Sequence, residues 1–326
     1  MDLVQVLKNI APLAHAWVDP DVGPLEDAAL LCPPGGSSLV FTLDFITPNV
    51  DEPEAFGAIA ATNALSDVYA MGGEPQVALV ICGFPPERLP LDVLARILQG
   101  GRDQCAKAGC AIVGGHTMQD TELKYGLCVI GSVSPGRALT QTHGRVGDRL
   151  VLTKPLGLGV ASAAIRKGRL GAFELARAVA LMTTLNRDAM QAALAAGVRA
   201  ATDVTGFGLL GHLRNLGLGS GLAARVEARR VPILEFAPAL AAEGLVPGGS
   251  RRNLEYVTPH ARFDESVDDV LRLLLADAQT SGGLLLAVAP DREAELIADL
   301  QRRGTPAAAA IGTLVAGEPG SLEIVG

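Results

Sequence analysis

Four aspartates stand where the sequence pattern calls for apolar residues, and they are the first candidates for chemistry. Asp44 ends one apolar run, Asp27 comes just before a second, and Asp203 follows a third. Asp67 lies on a predicted helix four residues after Asn63, so both side chains project from one helix face. Buried carboxylates are costly unless they are paired or bind metal. Oxygen-only ligands favour Mg²⁺ over zinc, so the four together indicate a hard-cation site, although any one alone is more often a helix cap or solvated loop residue.

Glycines are the second candidates, because they number 38 and many of them lie beside these acids. Glycine lets backbone N–H groups approach an anion, and helix N-termini favour negative charge. The chain has neither a GxxxxGK[ST] phosphate loop nor a GxGxxG dinucleotide fingerprint, and each glycine pair alone is more often a turn. Acids and glycines together predict a phosphate-and-magnesium site of a less common kind. The glycine segments are residues 114–115, 157–159, 206–208 and 282–283.

The elements that must position these residues alternate between apolar β-type runs and longer helical patterns, as in α/β or α+β proteins. The run 110–113 is predicted to be a buried strand that ends at Gly114-Gly115. One long helix is predicted over residues 172–196, capped by Gly197. The other predicted strands are 39–43, 77–82, 127–133, 149–153, 198–202, 284–288 and 308–315. The other predicted helices are 54–71, 91–105, one starting near Phe207, and 291–303.

Length and composition set the frame for this pattern. A chain of 326 residues suggests about two domains, and the polar stretch 140–148 places their boundary, giving domains 1–139 and 140–326. Apolar residues make up 49% of the chain, which provides for packed cores and argues against disorder.

Charge and cysteine content exclude several classes of protein. With 27 basic and 35 acidic residues the net charge is −8, which argues against a nucleic-acid partner. No uncharged run is long enough to span a membrane and no secretory signal is apparent. Five cysteines without zinc-type spacing indicate a reducing cytoplasm rather than a disulfide framework. His116, after a glycine pair, is a plausible site residue, and the other histidines are interpreted as structural.

Several long blocks of sequence, in order, resemble the selenophosphate synthetases (selenide, water dikinases). This family belongs to a superfamily of ATP-using enzymes with the fold of aminoimidazole ribonucleotide synthetase. The resemblance runs nearly end to end and is far more specific than a single short motif. The blocks are residues 56–73, 114–116, 152–157, 202–212 and 279–284.

The resemblance implies an N-terminal α/β domain that dimerises through its sheet and a C-terminal α+β domain, with ATP between them. Residues of a partner subunit are expected to complete the site. The implied reaction is that of ATP, selenide and water giving selenophosphate, AMP and phosphate, with Mg²⁺ and a potassium requirement. Mg²⁺ neutralises phosphate charge that would otherwise repel the nucleophile.

Matching positions carry the family's site residues onto this chain. The implied metal ligands are Asp27, Asp67 and Asp203. Residues 115–117 match a nucleotide-contacting turn. The implied nucleotide-binding residues are Pro24, Leu25, Glu26, Asp44, Asn63, Asp67, Gly115, His116 and Thr117.

One departure from the family concerns a glycine-rich segment that carries Cys or selenocysteine and, three residues on, Lys. Met1 aligns with the helix after that lysine, Lys8 is no convincing substitute, and no catalytic residue is identifiable in the chain itself. We expect that the reading frame starts upstream, with an in-frame UGA for selenocysteine taken as a stop. The upstream nucleotides test this. The alternatives are a non-catalytic nucleotide-binding paralogue or regulatory subunit, and another enzyme of the superfamily.

Overall fold

Two β-sheets, each with helices packed against it, make up the chain. The structure is a computed structural model that describes residues 15–18 and 26–326. The strands of the first sheet are β1 Ala29–Leu31, β2 Ser38–Ile46, β3 Glu74–Phe84, β4 Ala111–Gln119 and β5 Lys124–Val133. Their order is β1-β2-β5-β3-β4, and only the pair β3 and β4 is parallel.

The second sheet has seven strands in the order β7-β10-β6-β11-β8-β12-β9. Its last two pairs, β8 with β12 and β12 with β9, are parallel, and the others are antiparallel. The strands are β6 Arg149–Leu152, β7 Ala200–Asp203, β8 Ala223–Glu227, β9 Ala261–Phe263, β10 Leu284–Val288, β11 Ala309–Val315 and β12 Leu322–Val325.

The described residues form ten α-helices, with short 3₁₀ turns at Ala228–Arg230, Thr258–His260 and Pro290–Arg292. In the part of the chain that the structure describes, no helix is long and apolar enough to cross a membrane. The helices are α1 Pro53–Ala70, α2 Leu91–Ala108, α3 Leu158–Ile165, α4 Ala172–Met182, α5 Arg187–Ala195, α6 Gly208–Ser220, α7 Ala237–Ala242, α8 Gly248–Val257, α9 Asp269–Leu275 and α10 Glu293–Arg302.

Helix α1 lies at the centre of the molecule. It begins with proline, which suits the first helical position, and is buried around almost its whole circumference, as expected of an interior helix. It contacts β2 and β5 of the first sheet and β7 of the second. At Gly57 it crosses α2 so closely that a Cβ atom would lie 2.0 Å from the carbonyl oxygen of Ile97. Side chains on α1 can therefore meet both sheets.

The predicted helix 172–196 is wrong in one respect, because it is two helices separated by residues 183–186. The hydroxyls of Thr183 and Thr184 donate back to carbonyls of α4, which competes with continuation of the helix. The backbone carbonyls at the break accept hydrogen bonds from side chains elsewhere in the fold. Gln104 Nε2 donates to Thr183 O, and Lys154 Nζ donates to Thr184 O. The break is therefore stabilised by residues distant in sequence.

The prediction of a buried strand ending at Gly114-Gly115 is also wrong. Strand β4 continues through both glycines to Gln119, and most of it is exposed at the edge of the sheet. Its pairing with β3 contains a bulge between Ala78 and Leu79. A Cβ atom at Gly115 would lie 2.3 Å from the carbonyl oxygen of Val80, so glycine here permits close strand pairing rather than a turn.

The other predicted strands and helices are confirmed, with shifts of a few residues at their ends. The two sheets fall on either side of residues 140–148, but the boundary between residues 139 and 140 stays a prediction. This segment is not a free linker, because the amide of Thr140 bonds the carbonyl of Arg199 and Gln141 bonds residues near β1.

Candidate functional site between the two sheets

Helix α1 and the strands on either side of it bring the predicted acids into one region. Asp44 is near the end of β2, Asp67 is on α1, Asp203 ends β7 and Asp27 lies just before β1. Asp203 is buried, whereas the other three are half-buried. The site therefore draws carboxylates from both domains.

The two acids of the first sheet are held by neighbours on α1 and β2. The hydroxyl of Thr42 donates to Asp67 Oδ2 over 2.5 Å, and the Asn63 amide donates to Asp44 Oδ2. Asn63 and Asp67 are one helical turn apart on α1, as predicted, and Thr42 and Asp44 are two residues apart on β2, so they share one face of that strand. The acid on α1 is therefore bonded by a residue of β2, and the acid on β2 by a residue of α1.

Asp203 joins the second sheet to α1. The Ser66 hydroxyl donates to Asp203 Oδ2 over 2.6 Å, and Asn186 Nδ2 donates to the Ser66 oxygen over 2.9 Å. Asn186 lies at the start of α5 and also donates to the carbonyl of Gly282 over 2.9 Å. The break between α4 and α5 therefore supplies a residue of the site.

Asp27 has one satisfied carboxylate oxygen and one unsatisfied. Its Oδ1 accepts from the Thr202 hydroxyl at 2.7 Å and from Gln141 Nε2 at 3.2 Å. Its Oδ2 is buried and has no hydrogen-bond partner among the described residues. Glu26 accepts the backbone N–H of Gln141 with both carboxylate oxygens, at 3.0 and 2.9 Å, and its contact with nucleotide stays a prediction.

Burial raises the pKa of every acid in this region, and repulsion by neighbouring carboxylates raises the pKa of Asp27, Asp67 and Asp203 further. Burial raises the pKa of Asp67 and of Asp27 well above the usual range, and the charge of Asp203 raises both further. Burial raises the pKa of Asp203 to about 6 and also raises the pKa of Asp44. Carboxylates that affect one another in this way form a site where positive charge is stabilising.

The donor set fits Mg²⁺ in chemistry, though its atoms are not gathered for ligation. Among the described residues, no group of three or more His, Cys, Asp or Glu side chains is arranged to hold a metal ion. Oxygen-only donors and the orphaned Asp27 Oδ2 are nevertheless what a hard cation uses. The metal-binding roles of Asp27, Asp67 and Asp203 stay predictions.

Residues 115–117 do not join this region within one protomer. β4 is separated from β2 by β5 and β3, which places the two strands about 14 Å apart at the usual strand spacing. His116 pairs with Ile81, Ile81 with Gly126 and Gly126 with Phe45, so His116 and Phe45 share a face of the sheet. Asp44, next to Phe45, points to the opposite face.

The predicted turn at residues 115–117 is therefore wrong as a turn, and its nucleotide-binding role stays a prediction. Pro24 and Leu25, also predicted to contact nucleotide, lie outside the described residues.

Several polar residues of the site were not found by sequence reasoning. Thr42, Ser66 and Thr202 donate to the carboxylates and Asn186 donates to Ser66, and the partners in these bonds lie 25 or more residues apart in the chain. The nearest signal in the sequence is that Ser66 and Thr202 directly precede the predicted metal ligands. Lys154, within the sequence block 152–157, is one of the largest fully buried side chains.

The structure places His212, one of the histidines interpreted as structural, in the interior, and the compartment predicted from the cysteines stays a prediction. His212 is buried and accepts the backbone N–H of Thr205 over 3.1 Å, and burial lowers its pKa to about 4. All five cysteines carry free thiols.

Comparison with known proteins decides the family. Residues 25–133 match the family described as AIR synthase related protein, N-terminal domain, and residues 145–325 match AIR synthase related protein, C-terminal domain. The selenide, water dikinase of Myxococcus xanthus is 43% identical over 328 residues, covering 100% of this chain and 92% of that relative. The chain belongs to the selenide, water dikinase family. The family predicted from the sequence blocks is confirmed.

A second member of the selenide, water dikinase family, from Pelobacter propionicus, is 46% identical over 281 residues, which is 85% of this chain and 80% of the relative. Among solved structures, AaThiL complexed with AMPPCP and TMP superposes with a TM-score of 0.69 over 99% of this chain and 92% of that chain, at 19% identity. That likeness concerns the fold alone. The predicted two-domain aminoimidazole-ribonucleotide-synthetase-like fold is confirmed.

Proposed function

We propose that this chain is an ATP-dependent selenide, water dikinase, which converts ATP, selenide and water into selenophosphate, AMP and phosphate. The observation that carries the proposal is the group of mutually repelling carboxylates between the two domains, in which the buried Asp27 Oδ2 has no hydrogen-bond partner within the described part of the chain. Relatives more than 40% identical over nearly the whole chain bear this activity in their names.

The carboxylates define where the triphosphate would lie. Asp27, Asp67 and Asp203 would hold Mg²⁺, which supplies the positive charge that lets a nucleophile approach phosphate oxygens. Thr42, Ser66 and Thr202 donate to these carboxylates and fix the direction of their remaining lone pairs. Nucleotide binding is supported by the AMPPCP complex of a protein with the same fold. A potassium requirement is part of the proposal.

The chemistry asks little of a general base. Selenide is a strong nucleophile at neutral pH, so the protein's task is to hold the phosphoryl group in line with it and to exclude water until the second, phosphate-releasing step. Asn63 donates to Asp44 and accepts the backbone N–H of Ser281 over 2.8 Å, so the acid on β2 is fixed relative to the C-terminal domain.

We further propose that the protein acts as a homodimer through the open face of the first sheet, defined by Phe41, Leu43, Phe45, Leu79 and Met118. These side chains are exposed, Leu43 by 55% and Met118 by 59%, and contiguous apolar surface of this kind is typical of an interface. His116 lies on the same face. Across a dimer, residues 115–117 of the partner can serve the site that they do not reach in their own chain.

The dimer has a matched test. Phe45→Asp on the open face should shift the species seen by analytical ultracentrifugation from dimer to monomer, whereas Phe173→Asp, at an exposed phenylalanine of α4, should not. A wild-type chain that sediments as a monomer at micromolar concentration would disprove this part of the proposal. A cytoplasmic location is also proposed, supported by the free thiols of all five cysteines.

The activity is tested by assaying selenide-dependent AMP formation under anaerobic conditions, with selenophosphate followed by ³¹P NMR. The assay uses this chain, with the relative from Myxococcus xanthus as the positive control. AMP, phosphate and selenophosphate should form in equal amounts and only when selenide is present. If the chain binds Mg-ATP but forms no AMP under conditions where the relative is active, the proposed activity is wrong and a non-catalytic nucleotide-binding role replaces it.

A further inference from the structure

Lys154 is a buried lysine with unusual partners. It follows β6, its side chain is 1% exposed, and its ammonium group donates to Thr184 O over 2.7 Å and to Ser281 O over 2.8 Å. Buried lysines are normally paired with a carboxylate. Within residues 15–18 and 26–326, Lys154 forms no salt bridge, so both its hydrogen-bond partners are neutral carbonyls.

The first carbonyl belongs to the segment that orients Asp203. Thr184 lies in the break between α4 and α5, two residues before Asn186. Asn186 Nδ2 donates to the Ser66 oxygen, and the Ser66 hydroxyl donates to Asp203. Lys154 therefore holds the backbone from which this chain of hydrogen bonds starts.

The second carbonyl belongs to the segment that orients Asp44. The N–H of Ser281 donates to Asn63 Oδ1 over 2.8 Å, and the Asn63 amide donates to Asp44. The neighbouring Gly282 carbonyl accepts Asn186 Nδ2, which ties this segment to the one at the helix break. Each of the two segments thus bonds Lys154 through a carbonyl and is linked to one of the acids through side-chain hydrogen bonds.

The conformation of Ser281 shows that this arrangement is imposed on the backbone. Ser281 has a φ of 53°, the only positive φ of a non-glycine residue in the described chain. A left-handed conformation costs a non-glycine residue about 1 kcal/mol or more and persists only where the surroundings hold it. Here Lys154 holds the carbonyl of Ser281 and Asn63 holds its N–H.

From these contacts we infer that Lys154 is a positioning residue, which fixes the segments 183–186 and 279–283 so that Asp44 and Asp203 face the same substrate phosphates. The inference rests on the proposed function for its kinetic consequence. Lys154 makes no hydrogen bond to the acids, although its charge lies near enough to Asp203 to lower the pKa of that carboxyl. Its hydrogen bonds lead to Asp44 through Asn63 and to Asp203 through Ser66. Its removal should therefore lower turnover more than nucleotide affinity.

The kinetic test compares Lys154→Met, which keeps the apolar stem, with Lys167→Met, the same change at an exposed lysine. At a temperature where circular dichroism shows each variant fully folded, Lys154→Met should lower kcat about 30-fold and change KM for ATP less than about 3-fold, a loss typical of residues that orient metal ligands. Lys167→Met should behave as wild type. Lys154→Gln, which retains donor hydrogens, should recover part of kcat. Wild-type kcat in folded Lys154→Met would overturn the inference.

A double-mutant cycle separates positioning from general stability. If Lys154 acts partly through Ser281 and Asn63, then Lys154→Met should cost less in an Asn63→Ala background, below about 5-fold, because one of its two pathways to the acids is already interrupted. Equal losses in both backgrounds would contradict the inference.

Hydrogen exchange gives a readout that does not depend on the activity. In Lys154→Met, peptides covering residues 183–186 and 279–284 should exchange at least about 10-fold faster than in Lys167→Met. If the wild-type chain forms no AMP, the proposed function fails and this measurement still decides the positioning role. If neither Lys154 variant folds, Asn63→Ala takes their place. Unchanged hydrogen exchange over residues 279–284 in that variant would show that the bond between Asn63 and Ser281 does not hold the segment, and would overturn the inference.

Discussion

Two regions of the molecule contain buried carboxylates, and the regions differ in how well those carboxylates are hydrogen-bonded. In the candidate site, Asp27, Asp67 and Asp203 repel one another and Asp27 Oδ2 has no partner among the described residues. In the C-terminal domain, Asp277 stands alone and is fully hydrogen-bonded. A carboxylate with spare lone pairs and like charges around it is prepared for a cation, whereas a saturated one is part of the framework.

The Asp277 region shows what saturation means. Its Oδ2 accepts the N–H groups of Gly159 and Val160 at the start of α3, over 2.9 and 3.2 Å, and the Gln279 amide over 3.0 Å. Its Oδ1 accepts the Ser250 hydroxyl over 2.7 Å. Negative charge is favourable at a helix N-terminus. Through these bonds Asp277 connects α3, α8 and the segment before β10.

The largest expected effect comes from removing a charge in the candidate site. Asp203→Asn should lower the rate of selenide-dependent AMP formation about 1000-fold, because the position would no longer stabilise positive charge beside the phosphates. Its free energy of unfolding, measured with urea, should stay equal or increase, since the substitution removes like-charge repulsion. A clear loss of stability would mean that Asp203 belongs to the framework.

The corresponding change in the second region should have the opposite outcome. Asp277→Ala should lower the free energy of unfolding by about 3 kcal/mol, because it leaves the amides of α3 and the Ser250 hydroxyl without their acceptor. Turnover per folded molecule at low temperature should remain within about 2-fold of wild type. A loss of turnover as large as that of Asp203→Asn, without a loss of stability, would erase the distinction between the two regions.

The extent to which the sequence predicted these regions depended on the range of the interactions. Helix α1 and strand β2 were predicted closely because local features define them, such as Pro53 at the helix start and the apolar run of β2. The break at residues 183–186 was missed because Gln104 and Lys154 stabilise it from far away in sequence. β4 was ended too early because backbone pairing with β3 continues through residues without side chains.

The same reasoning applies to the candidate site. Its acids were identifiable because a carboxylate at the end of an apolar run is out of place in the pattern. Thr42, Ser66 and Thr202 were not identifiable, because hydroxyls are common at such positions and their partners become neighbours only in the fold. Asp277 was not predicted either, although it is as deeply buried as Asp203. Its partner, the N-terminus of α3, is distant in sequence, and the residues around Asp277 give no sign of that contact.

A smaller effect is expected from one hydroxyl in each region. Ser66→Ala should lower turnover about 10-fold with a loss of stability below about 1 kcal/mol, since Asp203 loses a donor that orients it but keeps a cation as partner. Ser250→Ala should leave turnover unchanged and lower stability by about 1.5 kcal/mol, the usual value of a hydrogen bond to a charged group. Kinetics and urea denaturation of both variants provide the check. The comparison fails if the two serines give the same pattern.

The smallest expected effect is the pH dependence of stability. Burial raises the pKa of Asp203 to about 6 in the folded chain, above the value of about 3.8 expected when unfolded. The folded state therefore holds a proton that the unfolded state has lost, so the free energy of unfolding decreases as pH rises through 6. Without divalent cations, Asp203 alone should make the protein about 1 kcal/mol less stable at pH 7 than at pH 5.

Asp203→Asn isolates this contribution, because subtracting its stability curve from that of wild type cancels the groups common to both. His212 is one such group and acts in the opposite direction, since burial lowers its pKa to about 4 and its contribution is lost as pH falls. Adding Mg²⁺ should reverse the slope of the difference curve, because a cation bound at the candidate site favours ionised Asp203. The free energy of unfolding of Asp277→Ala should respond to Mg²⁺ in the same way as that of wild type. A difference curve for Asp203→Asn that is flat with and without Mg²⁺ would place Asp203 with Asp277, in the framework.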